Sequence, residues 1–180
     1  MTWKDNLVSG WENHYYLVSS SDFNRDPDQY QDELQSFIEK ARTREPYRDK
    51  VRLAYMGVPP IFTDLYQVLE SLGGQVVYNE VQRQFSMPWA SNNIVEQYIK
   101  YTYPYGAFAR LEDIQAEVAR RNIDGIIHYT QSFCYRQIED LIFREKLDLP
   151  FLTLEGDRPG RVDARTRMRL EAFINMLIRK

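Results

Sequence analysis

The only cysteine of the chain, Cys134, is the residue with the most distinctive chemistry. It follows a short apolar run centred on Ile126 and Ile127 and precedes a segment with helical periodicity. A thiolate near the start of a helix has a lowered pKa, and it can act as a nucleophile or as a ligand for a soft metal. A lone cysteine is also commonly a small buried hydrophobic residue. The position of Cys134 in a loop after a strand favours a chemical role and leaves the packing interpretation open.

The two histidines, His14 and His128, lie far apart in the sequence, so we expect no metal site built from several histidines within one chain. His128 lies in the same apolar run and precedes Cys134 by six residues. A Cys–His nucleophile pair would have to form across the end of a strand. Ordinary packing of His128 within the strand is the simpler interpretation.

Two carboxylates, Glu155 and Asp157, follow the last apolar run. They either cap the final helix and face solvent, or contact a polar ligand. The arginines that come next form either a solvated helix face or a site for a phosphate-bearing ligand such as coenzyme A. These arginines are Arg158, Arg161, Arg165, Arg167 and Arg169.

The elements that position these residues alternate along the chain. Short apolar runs predict strands at 51–56, 76–78, 124–129 and 151–154, and amphipathic segments between them predict helices. This alternation predicts an α/β fold, a doubly wound, flavodoxin-like parallel sheet with helices on both faces. Right-handed crossovers favour the strand order 2-1-3-4.

Ligands of open α/β sheets bind beyond the carboxyl ends of the strands. Ser132, Phe133 and Cys134 follow the third predicted strand, and Glu155 and Asp157 follow the fourth. We therefore expect these residues to share one edge of the sheet. Ser132 and Glu155 are the candidate catalytic residues.

The chain is predicted to divide into an N-terminal helical extension, 1–48, and a flavodoxin-like domain, 49–180. Asp26 and Pro27 are typical of a helix start. Helices are also predicted at about 61–72 and, within the aromatic segment, at 94–101. The helix predicted at 136–147 has Ile138, Leu141 and Ile142 on one side. The aromatic segment 81–108 either packs on the domain or acts as a lid or partner surface.

Composition excludes several classes of protein. The 180 residues carry a net charge of −3, which argues against binding to nucleic acid. No apolar run approaches the ~20 residues of a membrane helix, and residues 1–10 lack the pattern of a signal peptide. A cytoplasmic protein without membrane partners is therefore expected. The dinucleotide fingerprint GxGxxG, the phosphate loop GxxxxGK[ST] and the GxSxG elbow are absent.

Several spaced motifs resemble one family. The stretch from Asp124 to Asp157 and the following RTRMRLEAFINML are similar to the carboxyl-terminal region of the 2-hydroxyacyl-CoA dehydratase and benzoyl-CoA reductase subunits. The upstream stretches RLAYMGVPP and LESLGGQVVYNE resemble the first two strands of the same domain, so the likeness covers roughly 28–177. The matching motifs are Asp124-Gly125, Phe133-Cys134, the run from Pro150 to Glu155, Thr166-Arg167 and Glu171-Ala172-Phe173.

The resemblance implies paired subunits, each with a [4Fe–4S] cluster held by three cysteines. An ATP-dependent activator would supply one electron, and the acyl-CoA substrate would react through a ketyl radical. Cys134 would be the third cluster ligand, Phe133 would line the cofactor site with Ser132, and Glu155 and Asp157 would lie at its rim.

The chain departs from the family pattern because it has no second cysteine, and one thiolate cannot hold a cluster. We expect an excised or split carboxyl-terminal domain, completed by a missing two-cysteine domain or by a paralogous subunit. A relative that has lost the cluster is the alternative. A non-catalytic interaction or small-ligand-binding domain that keeps only the fold is a further alternative.

Overall fold

The computed structural model describes residues 1–48, 50–101 and 106–180. Its centre is a four-stranded sheet in the order β2-β1-β3-β4, and every neighbouring pair is parallel. The predicted fold class and strand order are therefore confirmed. The strands are β1 (Val51–Gly57), β2 (Gly74–Asn79), β3 (Gly125–Thr130) and β4 (Phe151–Glu155).

Helices surround the sheet, and their start signals are visible in the sequence. The carboxylates of Asp26 and Asp163 cap two of them by accepting the backbone N–H of Gln29 and Thr166. Asn122 ends a third helix in the left-handed conformation. In the described residues the helices are α1 (Gly10–Ser19), α2 (Pro27–Arg42), α3 (Leu65–Ser71), α4 (Glu80–Phe85), α5 (Ile94–Lys100), α6 (Ala107–Arg121), α7 (Arg136–Lys146) and α8 (Ala164–Ile178), with a short 3₁₀ turn at Phe23–Arg25.

Alternate residues of each strand pack in two separate cores, because successive side chains point to opposite faces of a sheet. On one face, Tyr55, Ile127 and Tyr129 pack against α3 and α8. On the other face, Met56 and Ile126 pack against α6 and α7. The two layers of helices fix both faces of the sheet and leave its carboxyl edge to the loops.

The orientation of α7 differs from the prediction. Ile138 and Leu141 are 74% and 73% exposed, whereas Phe143 and Leu147 face the core. Polar side chains of the first turns also point inward, because buried partners on other elements hold them. An apolar stripe on this helix therefore faces solvent instead of the sheet.

Two other differences concern the start of one helix and the presence of another. The helix predicted from Ile61 begins at Leu65, because the backbone before it bonds elsewhere: Thr63 N–H donates to the carbonyl of Gly160 at 2.8 Å. Helix α4 was not predicted, since its inward residues are mostly polar. The helix expected at 94–101 is present as α5, while Tyr103 and Tyr105 of the aromatic segment lie outside the described residues.

The N-terminal segment packs closely on β2. Gln75 donates from its side chain to the carbonyl of Val8 at 3.2 Å, and Asn79 donates to the carbonyl of Gly10 at 3.3 Å. A Cβ atom at Gly10 would lie 3.1 Å from the carbonyl oxygen of Val76. The division into 1–48 and 49–180 stays a prediction. In the described part of the chain, no helix combines the length and apolar character needed to cross a membrane.

The outer strand β4 has a different cover. Arg144 donates to the carbonyl of Phe151 at 3.1 Å, and Arg169 donates to the carbonyl of Thr153 at 2.6 Å. These two carbonyls are two residues apart on an edge strand. Guanidinium groups therefore occupy positions where a further strand would otherwise donate its N–H groups.

Acid is expected to weaken the folded state through His14. Burial of this side chain beside Tyr66 lowers its pKa to about 4, below the ordinary 6.5. The unfolded chain therefore binds a proton at a higher pH than the native chain. Stability from this source should fall as pH drops from about 6.5 to about 4, by about 2 kcal/mol between pH 7.5 and pH 5.

The measurement is urea unfolding at these two pH values for the wild type and for His14→Gln, which keeps a hydrogen-bonding side chain but does not titrate. The variant should lose most of the pH dependence in this window. An unchanged slope would show that His14 is not the responsible group.

Candidate functional site

The loops after β3 and β4 meet at the carboxyl edge of the sheet. The backbone N–H of Ser132 donates to one oxygen of Asp157 at 2.6 Å, and its hydroxyl donates to the other at 2.5 Å. The hydroxyl bond and then the backbone bond lower the pKa of Asp157, so this exposed carboxyl stays ionised. The predicted meeting of these two residues is thus present, as a direct clamp between the loops.

Cys134 lies between this clamp and the start of α7. Its N–H donates to the carbonyl of Gln131 at 3.0 Å, and its carbonyl accepts from Gln137 at 3.0 Å. The residue is partly exposed, so it is not a core residue. A partly exposed thiol at the start of a helix remains accessible to a soft metal.

Phe133 is fully exposed and has a φ of 64°. A non-glycine residue in this left-handed region costs roughly 1–2 kcal/mol. The strain and the exposed ring lie directly beside the only thiol. Nothing in the sequence indicated this conformation, because the position carries no glycine.

Glu155 lies on the same edge, but it is not joined to the clamp. Its carboxylate accepts from the side chain of Gln137 on α7 at 2.8 Å. Tyr129 forms the floor beneath: its hydroxyl donates to the carbonyl of Gly156 at 2.8 Å. A Cβ atom at Gly156 would lie 2.4 Å from that hydroxyl, so only glycine allows the two strand ends to approach this closely.

An open cavity of about 390 Å³ lies beyond β4. Both predicted carboxylates line it, together with two arginines of the predicted cluster. Arg169 is instead bound to the backbone of β4, so the cluster does not act as one unit. The side chains lining the cavity are Phe62, Glu155, Asp157, Arg158, Pro159, Arg161 and Asp163.

His128 lies inside the domain and is paired with Asp140 of α7, not with Cys134. Its Nδ1 is 2.7 Å from the carboxylate, while its Nε2 is buried without a partner among the described residues. Burial would raise the pKa of Asp140, but hydrogen bonds from His128, Thr153 and Arg144 lower it to about 2. The pair fixes α7 to the third and fourth strands.

Sequence reasoning missed a buried ionic network beside the site. Arg110 of α6 is fully buried and binds both oxygens of Glu80 at 2.8 Å. It also donates to Glu139 in the first turn of α7, and Glu80 accepts the N–H of Gly57 at 3.3 Å. Burial would raise the pKa of Glu80, but the charge and hydrogen bonds of Arg110 lower it. The network links the ends of β1 and β2 to the helix that follows Cys134.

Metal binding at this edge needs ligands beyond those described. No three His, Cys, Asp or Glu side chains in the described residues are placed to hold a metal ion together. Cys134 offers a single soft ligand. These residues fit an iron–sulfur cluster only as one corner of a larger site.

Fold and site together define an α/β domain with a lone accessible thiol at the carboxyl edge of a parallel sheet. The family model "2-hydroxyglutaryl-CoA dehydratase, D-component" matches residues 4–177, and the chain belongs to this family. The match confirms the resemblance and extends it into the N-terminal helices. Among curated proteins, none matches the sequence.

Proposed function

We propose that the chain is the carboxyl-terminal domain or a split subunit of a 2-hydroxyacyl-CoA dehydratase-type enzyme, and that Cys134 is one ligand of a [4Fe–4S] cluster. The supporting observation is the position of the thiol. In a chain of this family, the only cysteine is accessible and follows a central parallel strand. The other ligands come from a two-cysteine domain or a paralogous subunit.

The surrounding residues hold this ligand in place. The Ser132–Asp157 clamp fixes the loop before Cys134, and α7 fixes the loop after it. Phe133 excludes water from one side of the thiol once a partner covers the edge. Ser132 and Glu155 are the polar groups within reach of a substrate at the rim, and they orient it by hydrogen bonds.

The cavity beyond β4 suits the phosphate-bearing part of an acyl-CoA. Arg158 and Arg161 line it and supply positive charge. A planar guanidinium group can donate two hydrogen bonds to a pair of phosphate oxygens. The acyl end then extends toward Ser132 and Cys134. The neighbouring carboxylates disfavour phosphate on their side and so set the direction of the ligand.

A cluster held in part by Cys134 would supply single electrons to the acyl thioester, and an ATP-dependent activator protein would deliver those electrons. The residues of this chain bind the substrate, orient it and shield the thiol from water. We therefore also propose a cytoplasmic location, where an ATP-dependent activator would act.

The test is Cys134→Ser in the assembled enzyme, with iron and acid-labile sulfide measured on the purified complex. We expect the cluster of this subunit to be lost, because an alcohol is a poor iron ligand compared with a thiolate. The chain alone, treated with iron and sulfide, should form no cluster.

Circular dichroism serves as the control, since Cys134 is partly exposed and the variant should keep its helix content. Unchanged iron content in the variant would contradict the proposal. It would favour a binding domain that keeps only the fold.

A further inference from the structure

An apolar stripe runs along the solvent side of α7, starting next to the thiol. Tyr135, Ile138 and Leu141 are 61%, 74% and 73% exposed. Their spacing of three residues puts them on one side of the helix. We call these three residues the α7 stripe. Phe133, also fully exposed, continues it across Cys134.

The helix cannot turn this stripe inward. Its opposite side is held by Glu139, which binds buried Arg110, and by Asp140, which binds buried His128. Phe143 fills the core beneath. Rotating the helix would break both buried pairs and take Glu139 and Asp140 away from Arg110 and His128. The stripe is therefore available for a partner from outside the domain.

The position of the stripe indicates which partner covers it. If Cys134 holds a cluster, the remaining ligands must come from another polypeptide or domain. In the described residues, no three His, Cys, Asp or Glu side chains are placed to hold a metal together. The polypeptide carrying those ligands must reach the cluster, so it must cover the surroundings of Cys134. The α7 stripe begins at Tyr135, the residue after Cys134, and continues along the helix to Leu141.

We infer that the α7 stripe is the docking surface for the domain or subunit that supplies the other cysteine ligands. This inference rests on the proposed function and adds the surface through which the partner binds. Exposed polar residues adjoin the stripe: Gln137 and Arg144 lie on the same side of the helix, next to Leu141, and Glu145 follows Leu141 by one turn. An apolar centre with a polar rim is the usual anatomy of a protein interface, and exposed tyrosine is a frequent anchor.

The test introduces Ile138→Glu and Leu141→Glu together into the full chain. The binding probe is the two-cysteine 2-hydroxyglutaryl-CoA dehydratase component from the same genome, purified and titrated by calorimetry. We expect the dissociation constant to rise by at least about 30-fold, because buried interface centres do not accept charge. Hydrogen exchange of α7 should slow on binding in the wild type only.

The matched control is Met168→Glu with Met176→Glu on α8, two exposed apolar residues at 63% and 49%. It adds the same charge on a different surface, and its dissociation constant should change by no more than about threefold. Equal weakening by both pairs would overturn the assignment of the surface.

Cys134→Ser separates this inference from the proposed function. It should remove the cluster and leave the dissociation constant of the cluster-free components nearly unchanged. Normal binding and a full cluster in the glutamate variant would overturn the docking surface and leave the ligand role intact. Sedimentation of the chain alone should show a monomer. A dimer that the glutamate pair dissolves would assign the stripe to a second copy and overturn the inference.

Discussion

Replacing Gly57 by alanine is expected to destabilise the domain by about 3 kcal/mol. Gly57 ends β1 with a φ of 90°, a conformation that side chains with a Cβ atom rarely adopt. The added Cβ would lie 2.1 Å from the carbonyl oxygen of Tyr129 on β3. Because these two residues are paired in register, relief requires β1 and β3 to separate at the edge that carries the site.

Urea unfolding of the wild type and the variant measures this effect. Gly106→Ala is the control, since no atom of the described residues lies within 4 Å of the added atom and φ is −69° at this cap position. Its cost should stay below about 1 kcal/mol. A midpoint for Gly57→Ala as high as that of the control would refute the close approach of the two strands.

Arg110→Met is expected to cost about 3–5 kcal/mol at neutral pH, because removing one partner of a buried ion pair leaves the other charge uncompensated. Here two carboxylates, Glu80 and Glu139, would remain inside the protein. In the wild type the pKa of Glu80 is lowered, so its contribution is present above the ordinary pKa of about 4.5 and lost below it. In the variant, burial without Arg110 raises the pKa of Glu80. The stability that the variant has lost relative to the wild type should therefore shrink as the pH falls toward 5.

The triple variant Arg110→Met with Glu80→Gln and Glu139→Gln tests this cause directly. It should recover about half of the lost stability, since both carboxylates that bind Arg110 are then neutral, although buried Arg136 keeps its charge and loses its 3.7 Å ion pair with Glu139. Arg120→Met is the surface control: Arg120 is 49% exposed and pairs with Glu117, so its loss should cost less than about 1 kcal/mol. An equal loss in the free energy of unfolding for Arg110→Met and Arg120→Met would show that the buried network stabilises the fold no more than a surface ion pair does.

Local patterns predicted most of the fold. The strands are short apolar runs, and three helix ends carry cap residues that act within a few residues, at Asp26, Asn122 and Asp163. Alternation of strands and helices then limits the strand order. These signals are local, so they are visible in one sequence.

The errors in α7 and α4 have one physical origin. In α7, Glu139 and Asp140 point inward because they bind Arg110 and His128 on other elements. This orientation of the helix leaves Ile138 exposed. Helix α4 was missed for the same reason. Apolar periodicity assumes that buried faces are apolar, and it fails where the buried contacts are long-range ion pairs.

The candidate site was predictable to a similar degree. Parallel topology brings Ser132 and Asp157 to one edge, as expected from their positions after adjacent strands. The pairing of Glu155 with Gln137 and the left-handed backbone of Phe133 depend on the path of the loops. Such details follow from the tertiary structure and not from residue types.

Both borders of the sheet are blocked against further strands. On β2 the N-terminal helix approaches the backbone so closely that only glycine fits at position 10, and on β4 the carbonyls of Phe151 and Thr153 are taken by arginines. An open border is a template for fibril growth and domain swapping. Larger assemblies of this protein should therefore grow through helix surfaces, and a shortened chain without its first helix should precipitate.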